Sequence, residues 1–301
     1  MTYPDVIAYS VPLFVLAIGV ELFVALRRGR RDLYETRDAL TSLTLGALYN
    51  LEHVLYVAVS APIFLWLWEH RWFDAGHGPL AVAACFVLDD LAFYALHRAG
   101  HRIRWFWANH LVHHSSQHYN LTTALRQSWT GTLAGLWIFR APLVLLGFHP
   151  AMVAFCAAVN LVYQFWIHTE LIDRMPRWFE AVFNTPSHHR VHHGRRPQDL
   201  DTNYGGVFIV WDRWFGTFTA EAPGDRVDYG LVKPLGTFHP VRAAFHGWVE
   251  LWADVRRPGL RLRDRLWCLL GPPEGSRESG PAVHEQGTER PGRPVLDPPA
   301  V

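Results

Sequence analysis

Long apolar runs, each ending in a basic or histidine-rich segment, constrain this chain more than any other feature. The first, Tyr9 to Leu26, is long enough to cross a hydrocarbon core as a helix, and Arg27, Arg28, Arg30 and Arg31 follow it at once. A basic flank on that side places the C-terminal end in the cytoplasm. A cleaved signal peptide would carry its basic residues before the apolar stretch and a small-residue cleavage site after it, and this run has neither. A second run from about Leu40 to Trp68, a polar turn from Glu69 to Gly78 and a third run from Leu80 to Leu96 read as a hairpin across the bilayer. Trp129 to Phe148 and Ala151 to Ile167, joined at His149-Pro150, read as another. Arg140 lies inside its first arm and must face protein or water there. The expected fold class is all-α: an integral membrane bundle of about four to five membrane helices with a cytoplasmic, histidine-rich cap holding a two-metal site.

Composition agrees with a membrane chain: half of the 301 residues are hydrophobic and 14% are aromatic. Mean hydropathy is only +0.02 because residues 272–301 form a polar, Pro/Gly-rich tail that is expected to be disordered. A net charge of +1, without a basic stripe, gives no reason to expect nucleic acid as a partner. Cys85, Cys156 and Cys268 stand apart, without a C-x-x-C pair, so neither a disulfide framework nor a thiolate metal site is implied.

The chain holds 18 histidines, most of them in tight clusters. His97 and His101 are four apart where the third run emerges, so both rings project from one helical face and can share an ion. His110, His113 and His114 form H-x-x-H-H: the outer pair stacks one turn apart while the middle ring can reach a neighbouring ion. His189, His192 and His193 repeat that pattern, and His168 stands alone at the end of the fifth run. Alternation of the runs puts every cluster on the cytoplasmic side. One zinc is satisfied by three or four protein ligands, so nine imidazoles suit two ions with room for exchangeable positions. Nitrogen-ligated open positions favour iron, with zinc left open, and the Glu-x-x-His pattern of ferritin-like di-iron bundles is missing.

Other residues fit supporting roles. Asp90, His188, Asp201 and Asn203, the last beside Tyr204, could hold a metal-bound imidazole by its other nitrogen. Gly205-Gly206 followed by VFIVWDRWFGTF reads as a short extended or re-entrant segment, with Trp211, Trp214 and Phe215 as headgroup anchors or substrate contacts. His53, His70, His77, His118, His149, His239, His246 and His284 read as ordinary structural or surface residues.

The three boxes, with HHSSQHYNLTTALRQS, YQFWIHTE, NTPSHHRVHHGR and NYGGVFIVWDRWFGTF, resemble the fatty acid hydroxylase and sterol desaturase superfamily of membrane di-iron enzymes. Within it they are similar to the branch that cleaves ether lipids, from about Asp90 to about Gly247. The apolar runs place N-terminal membrane helices over 1–78, and the resemblance implies a catalytic domain over 79–260. It implies two iron ions on the nine histidines, O2 as oxidant, and a reduced pterin or an external electron-transfer protein as reductant and redox partner. The substrate would be a membrane lipid, hydroxylated at the alkyl carbon beside an ether oxygen, and the hemiacetal so formed collapses to a fatty aldehyde and a glycerol derivative. A fatty acyl or sterol hydroxylase or desaturase uses the same platform and stays open. A histidine-rich transporter would carry its ligands inside the membrane runs, whereas these lie beyond the run ends. The membrane would be a bacterial inner membrane or the endoplasmic reticulum. Arg102 stands where the ether-cleaving branch has Glu, directly after the second histidine of the first box.

Overall fold

Three long helices carry the first apolar runs in the computed structural model, which describes residues 3–224 and 226–273. Helix α1 (Val6–Arg27) is capped by the Asp5 carboxylate, which accepts from the Ala8 amide at 3.0 Å. Helix α2 (Thr36–Glu69) is capped by Glu35, and α3 (Pro79–Arg102) opens with proline at its first position, where the missing N–H costs nothing. All three are long and apolar enough to cross a membrane. Their large side chains point outward, Leu51 with 70% and Leu80 with 83% of its surface exposed. Apolar area on that scale is stable only against lipid.

The expected membrane arm from Trp129 to Phe148 is not a helix of that kind. The chain there breaks into α5 (Gly131–Ala134), a 3-10 turn (Leu136–Phe139) and α6 (Ala141–Leu145), and Gly135 sits in the left-handed region between the first two. Polar groups on α2 and α3 account for the break. Glu52 accepts from the Thr132 amide and hydroxyl at 2.7 and 2.8 Å, and Arg140 donates to Asp89 at 2.7 Å. Irregular backbone and charge are held at this depth because they are buried in protein. The run beyond His149-Pro150 does form a helix, α7 (Pro150–Trp166), which packs on α1 and α3.

Short helices cover one end of this assembly. After the extended residue Ile103, α4 (Arg104–His114) turns back from α3; α8 (Arg177–Val182), α9 (Pro186–His192) and α10 (Val210–Phe215) follow, then α11 (Pro240–Val255) and α12 (Leu262–Leu270). Gly247 lets α11 sit against α4, since a Cβ there would meet the Ala108 carbonyl oxygen at 2.7 Å. The segment after Gly205-Gly206 is extended only at the isolated Phe183–Phe208 bridge before α10 begins, and no strand forms among the described residues. The basic linker after α1 lies at this same end: Arg30 pairs with Glu170 at 2.6 Å and Asp32 with Arg226 at 2.8 Å. Residues 274–301 of the expected tail lie outside the described residues.

Candidate metal centre

Nine imidazoles converge between α3, α4, α7 and α9 in two groups. The first joins His97 and His101 of α3, His110 and His114 of α4, and His192 of α9. The second joins His113 of α4, His168 just past α7, and His189 and His193 at the end of α9. Within each group the candidate ligand atoms lie within 4.8 Å of one another. Helical spacing explains the division. α4 sends its i, i+4 pair His110 and His114 to the first group and the intervening His113 to the second, while the α9 segment sends His189 and His193 to the second and His192 to the first.

Several Nε2 atoms face each other at contact distance. His110 is 3.1 Å from His97 and 3.0 Å from His114; in the other group His168 is 3.2 Å from His113 and 3.0 Å from His189, which is 3.2 Å from His193. Two nitrogens at right angles, each about 2.1 Å from one ion, are separated by about 3.0 Å, so this is the spacing that a shared metal demands. Backbone carbonyls fix the ring orientation from behind. The Nδ1–H groups of His97, His192 and His168 donate to the carbonyls of Tyr204, Thr202 and Gln164 at 2.8 Å, and that of His113 to Arg126 at 3.3 Å. An oxygen that can only accept forces the proton onto Nδ1 and leaves Nε2 as a lone pair facing the group. His101 Nε2 and His192 Nε2 are buried without any partner. Such orphaned acceptors are costly unless a cation completes them.

Burial, with neighbouring imidazoles adding to it, holds the rings of His110, His114, His189 and His193 well below the ordinary histidine range. Burial likewise brings His113 down to about 4. Neutral imidazole is the form that binds a metal.

Of the supporting residues expected from sequence, Asp90 and Asn203 bond to the backbone of loops around the rings. Asp90 accepts from the amides of Val207 and Phe208 at 2.7 and 3.0 Å, from Trp211 Nε1 at 2.8 Å and from Asn160 at 2.8 Å. It thereby pins the segment whose Tyr204 carbonyl holds His97. Asn203 sits in the left-handed region at a φ of 57°, as Asp201 does at 58°, and its side-chain amide donates to the His188 and Thr219 carbonyls. His188 lies outside both groups, edge-on to Phe218 at 5.3 Å. Asp201 pairs with Arg102 at 3.6 Å, so the positive charge beside the first box is met by an acid from the loop after α9. Sequence reasoning missed Tyr119, which stacks on His168 with ring centres 5.6 Å apart. It also missed Asp212, which accepts from the amides of Tyr204 and Gly205. Each lies in a stretch already singled out, HHSSQHYNLTTALRQS or NYGGVFIVWDRWFGTF, yet no spacing rule marks either.

Comparison with known proteins matches the fatty acid hydroxylase family model to residues 82–217, which include all nine histidines. The alkylglycerol monooxygenase of Homo sapiens is 39% identical over 251 residues, covering 83% of this chain and 55% of the relative. That of Caenorhabditis elegans is 36% identical over 245 residues, covering 79% and 46%. The ornithine lipid hydroxylase OlsE of Rhizobium tropici is 26% identical over 200 residues, covering 66% and 60%. The chain thus spans about half the length of the alkylglycerol monooxygenases it matches. No solved structure matches it.

Proposed function

The chain carries a fatty acid hydroxylase domain, and from that premise we propose that it is a membrane monooxygenase that hydroxylates the alkyl carbon beside the ether oxygen of an alkylglycerol. One observation carries this reading. Nine largely buried imidazoles, four with Nδ1 tied to backbone carbonyls, form two metal-sized groups at the ends of apolar helices. The donor set fits two ions. His97, His101, His110, His114 and His192 would hold one, and His113, His168, His189 and His193 the other. Two iron ions bound there would supply the activation of dioxygen.

The protein's own part is preorganisation. The carbonyls of Tyr204, Thr202, Gln164 and Arg126 set the tautomers, burial keeps the rings neutral, and Asp90 and Asn203 hold the loops that carry those carbonyls and the histidine helix in place. The net reaction takes one atom of O2 into the C–H bond and the other into water, with two electrons and two protons from a reduced pterin or an electron-transfer protein. The hemiacetal then releases fatty aldehyde and a glycerol derivative without a separate hydrolytic step. The basic run after α1, beside the histidine end, favours a cytoplasmic site with catalytic residues drawn from 79–260.

Membranes containing the protein, given O2, labelled alkylglycerol and either a reduced pterin or a ferredoxin system, should yield labelled fatty aldehyde. A hydroxylated lipid with its ether intact would overturn ether cleavage. It would favour instead a lipid hydroxylase of the kind named for the Rhizobium relative.

A further inference from the structure

Helix α1 lies outside the region matched by the family model, yet it buries a carboxylate that bonds to segments flanking His168 of the second histidine group. Glu21 is 4% exposed, about 9 Å before the end of α1 at 1.5 Å per residue. An acid at this depth in an apolar helix is costly and is retained only where it is fully hydrogen-bonded. It accepts from three separate segments: the Tyr34 hydroxyl of the linker after α1, the Leu121 amide at 2.8 Å, and the Thr169 hydroxyl. Two of these flank one imidazole. Thr169 directly follows His168, and its hydroxyl oxygen also accepts from the Leu171 amide at 3.0 Å. Leu121 lies two residues after Tyr119, whose ring stacks on His168 and whose hydroxyl donates to the Ile167 carbonyl at 2.9 Å.

We propose that Glu21 is a positioning residue for the four-histidine group, acting on His168 through Thr169 and through the Tyr119–Leu121 segment. The metal centre is then incomplete without the first membrane helix. This inference rests on the two-ion reading above. His168 is the one ligand of its group that comes from neither α4 nor α9, so a loosened 167–171 turn should affect that group and leave the five-histidine group, built on α3, α4 and α9, unchanged.

The test titrates the full chain in detergent with Co(II) and follows its ligand-field spectrum. Wild type should take two ions. Glu21→Ala should keep one with unchanged affinity and bind the other roughly 10-fold to 100-fold more weakly, the range seen when groups supporting a ligand are removed. Glu21→Gln, which retains an acceptor, should restore most of that loss. Adding His192→Ala to Glu21→Ala should disturb the remaining ion, whereas adding His189→Ala should not. Two ions bound as in wild type, or equal weakening of both, would overturn the proposal. Amide exchange needs no metal and separates the two readings. It should rise at 119–121 and 168–171 in Glu21→Ala and stay unchanged along α3; unchanged exchange at those loops overturns the positioning role even if the two-ion reading holds. A wild type that takes no second ion contradicts that reading itself.

Discussion

His114 and His193 stack with ring centres 4.4 Å apart and planes 24° from parallel, one ring from each histidine group, so the two sites share a wall. Neighbours in sequence nevertheless belong to different groups, which makes the expected response to substitution specific. His192→Ala removes one of the five histidines of the first group, and His189→Ala one of the four of the second. Both should abolish turnover. His189→Ala should weaken its ion more, by at least about 10-fold relative to His192→Ala, as read by metal titration. Equal loss of both ions in either variant would contradict the division.

Gly206 is a close-packing position beside the Tyr204 carbonyl that holds His97. A Cβ there would meet Asn160 Oδ1 and Asp90 Oδ1 at 2.7 Å and a Phe93 ring carbon at 2.8 Å. Gly206→Ala must displace the segment, and with it the carbonyl that sets the His97 tautomer. Affinity for the first ion should fall by about 10-fold to 100-fold. Unchanged affinity would show that the carbonyl is dispensable.

Asp90 gathers four donors from α7 and the 207–211 segment. Asp90→Ala leaves them unpaired in a buried place and should cost on the order of 3–5 kcal/mol of stability, measured by thermal unfolding in detergent. Asp90→Asn keeps the volume and one acceptor oxygen, and should cost about half as much.

Arg140 and Asp89 form a buried pair between the broken 131–145 segment and α3. Arg140→Met alone strands Asp89 and should destabilise by about 3–5 kcal/mol, whereas adding Asp89→Leu should recover most of it. A double variant no better than the single one would contradict a simple ion pair.

The metal-free protein should lose stability on acidification. An unfolded chain takes up protons on histidine near pH 6.5, while burial makes the folded chain refuse them, down to about 4 at His113. The folded state is therefore most favoured above about pH 6.5 and weakens as pH falls through that window. Melting temperatures of chelator-treated protein should decline from about pH 7 towards pH 4.5. A flat profile would contradict neutral buried rings.

How much of this was legible in sequence follows from which interactions are local. The pairing of His110 with His114 and of His189 with His193, and the opposite lean of His113 and His192, follow from helical spacing alone. The apolar runs of α1, α2 and α3 announce themselves by length. Trp129–Phe148 misled because it is apolar enough for a membrane arm, while Glu52 and Asp89, which satisfy its polar groups, lie far away in sequence. The same limit applies to the ring-orienting groups. Tyr204, Thr202, Gln164 and Arg126 contribute backbone carbonyls, which every residue has, so no side-chain pattern could mark them. Asp90 was singled out from its place in the chain; its contacts show it to act on the loop rather than on a ring.

The most direct measurement is the iron content of purified, catalytically competent protein, taken with its Mössbauer spectrum. Two irons per chain in nitrogen-rich surroundings, with the signal of one lost in His192→Ala and of the other in His189→Ala, are expected from the two histidine groups. A single iron per chain in fully active protein, or activity that persists without iron, would contradict the two-metal centre.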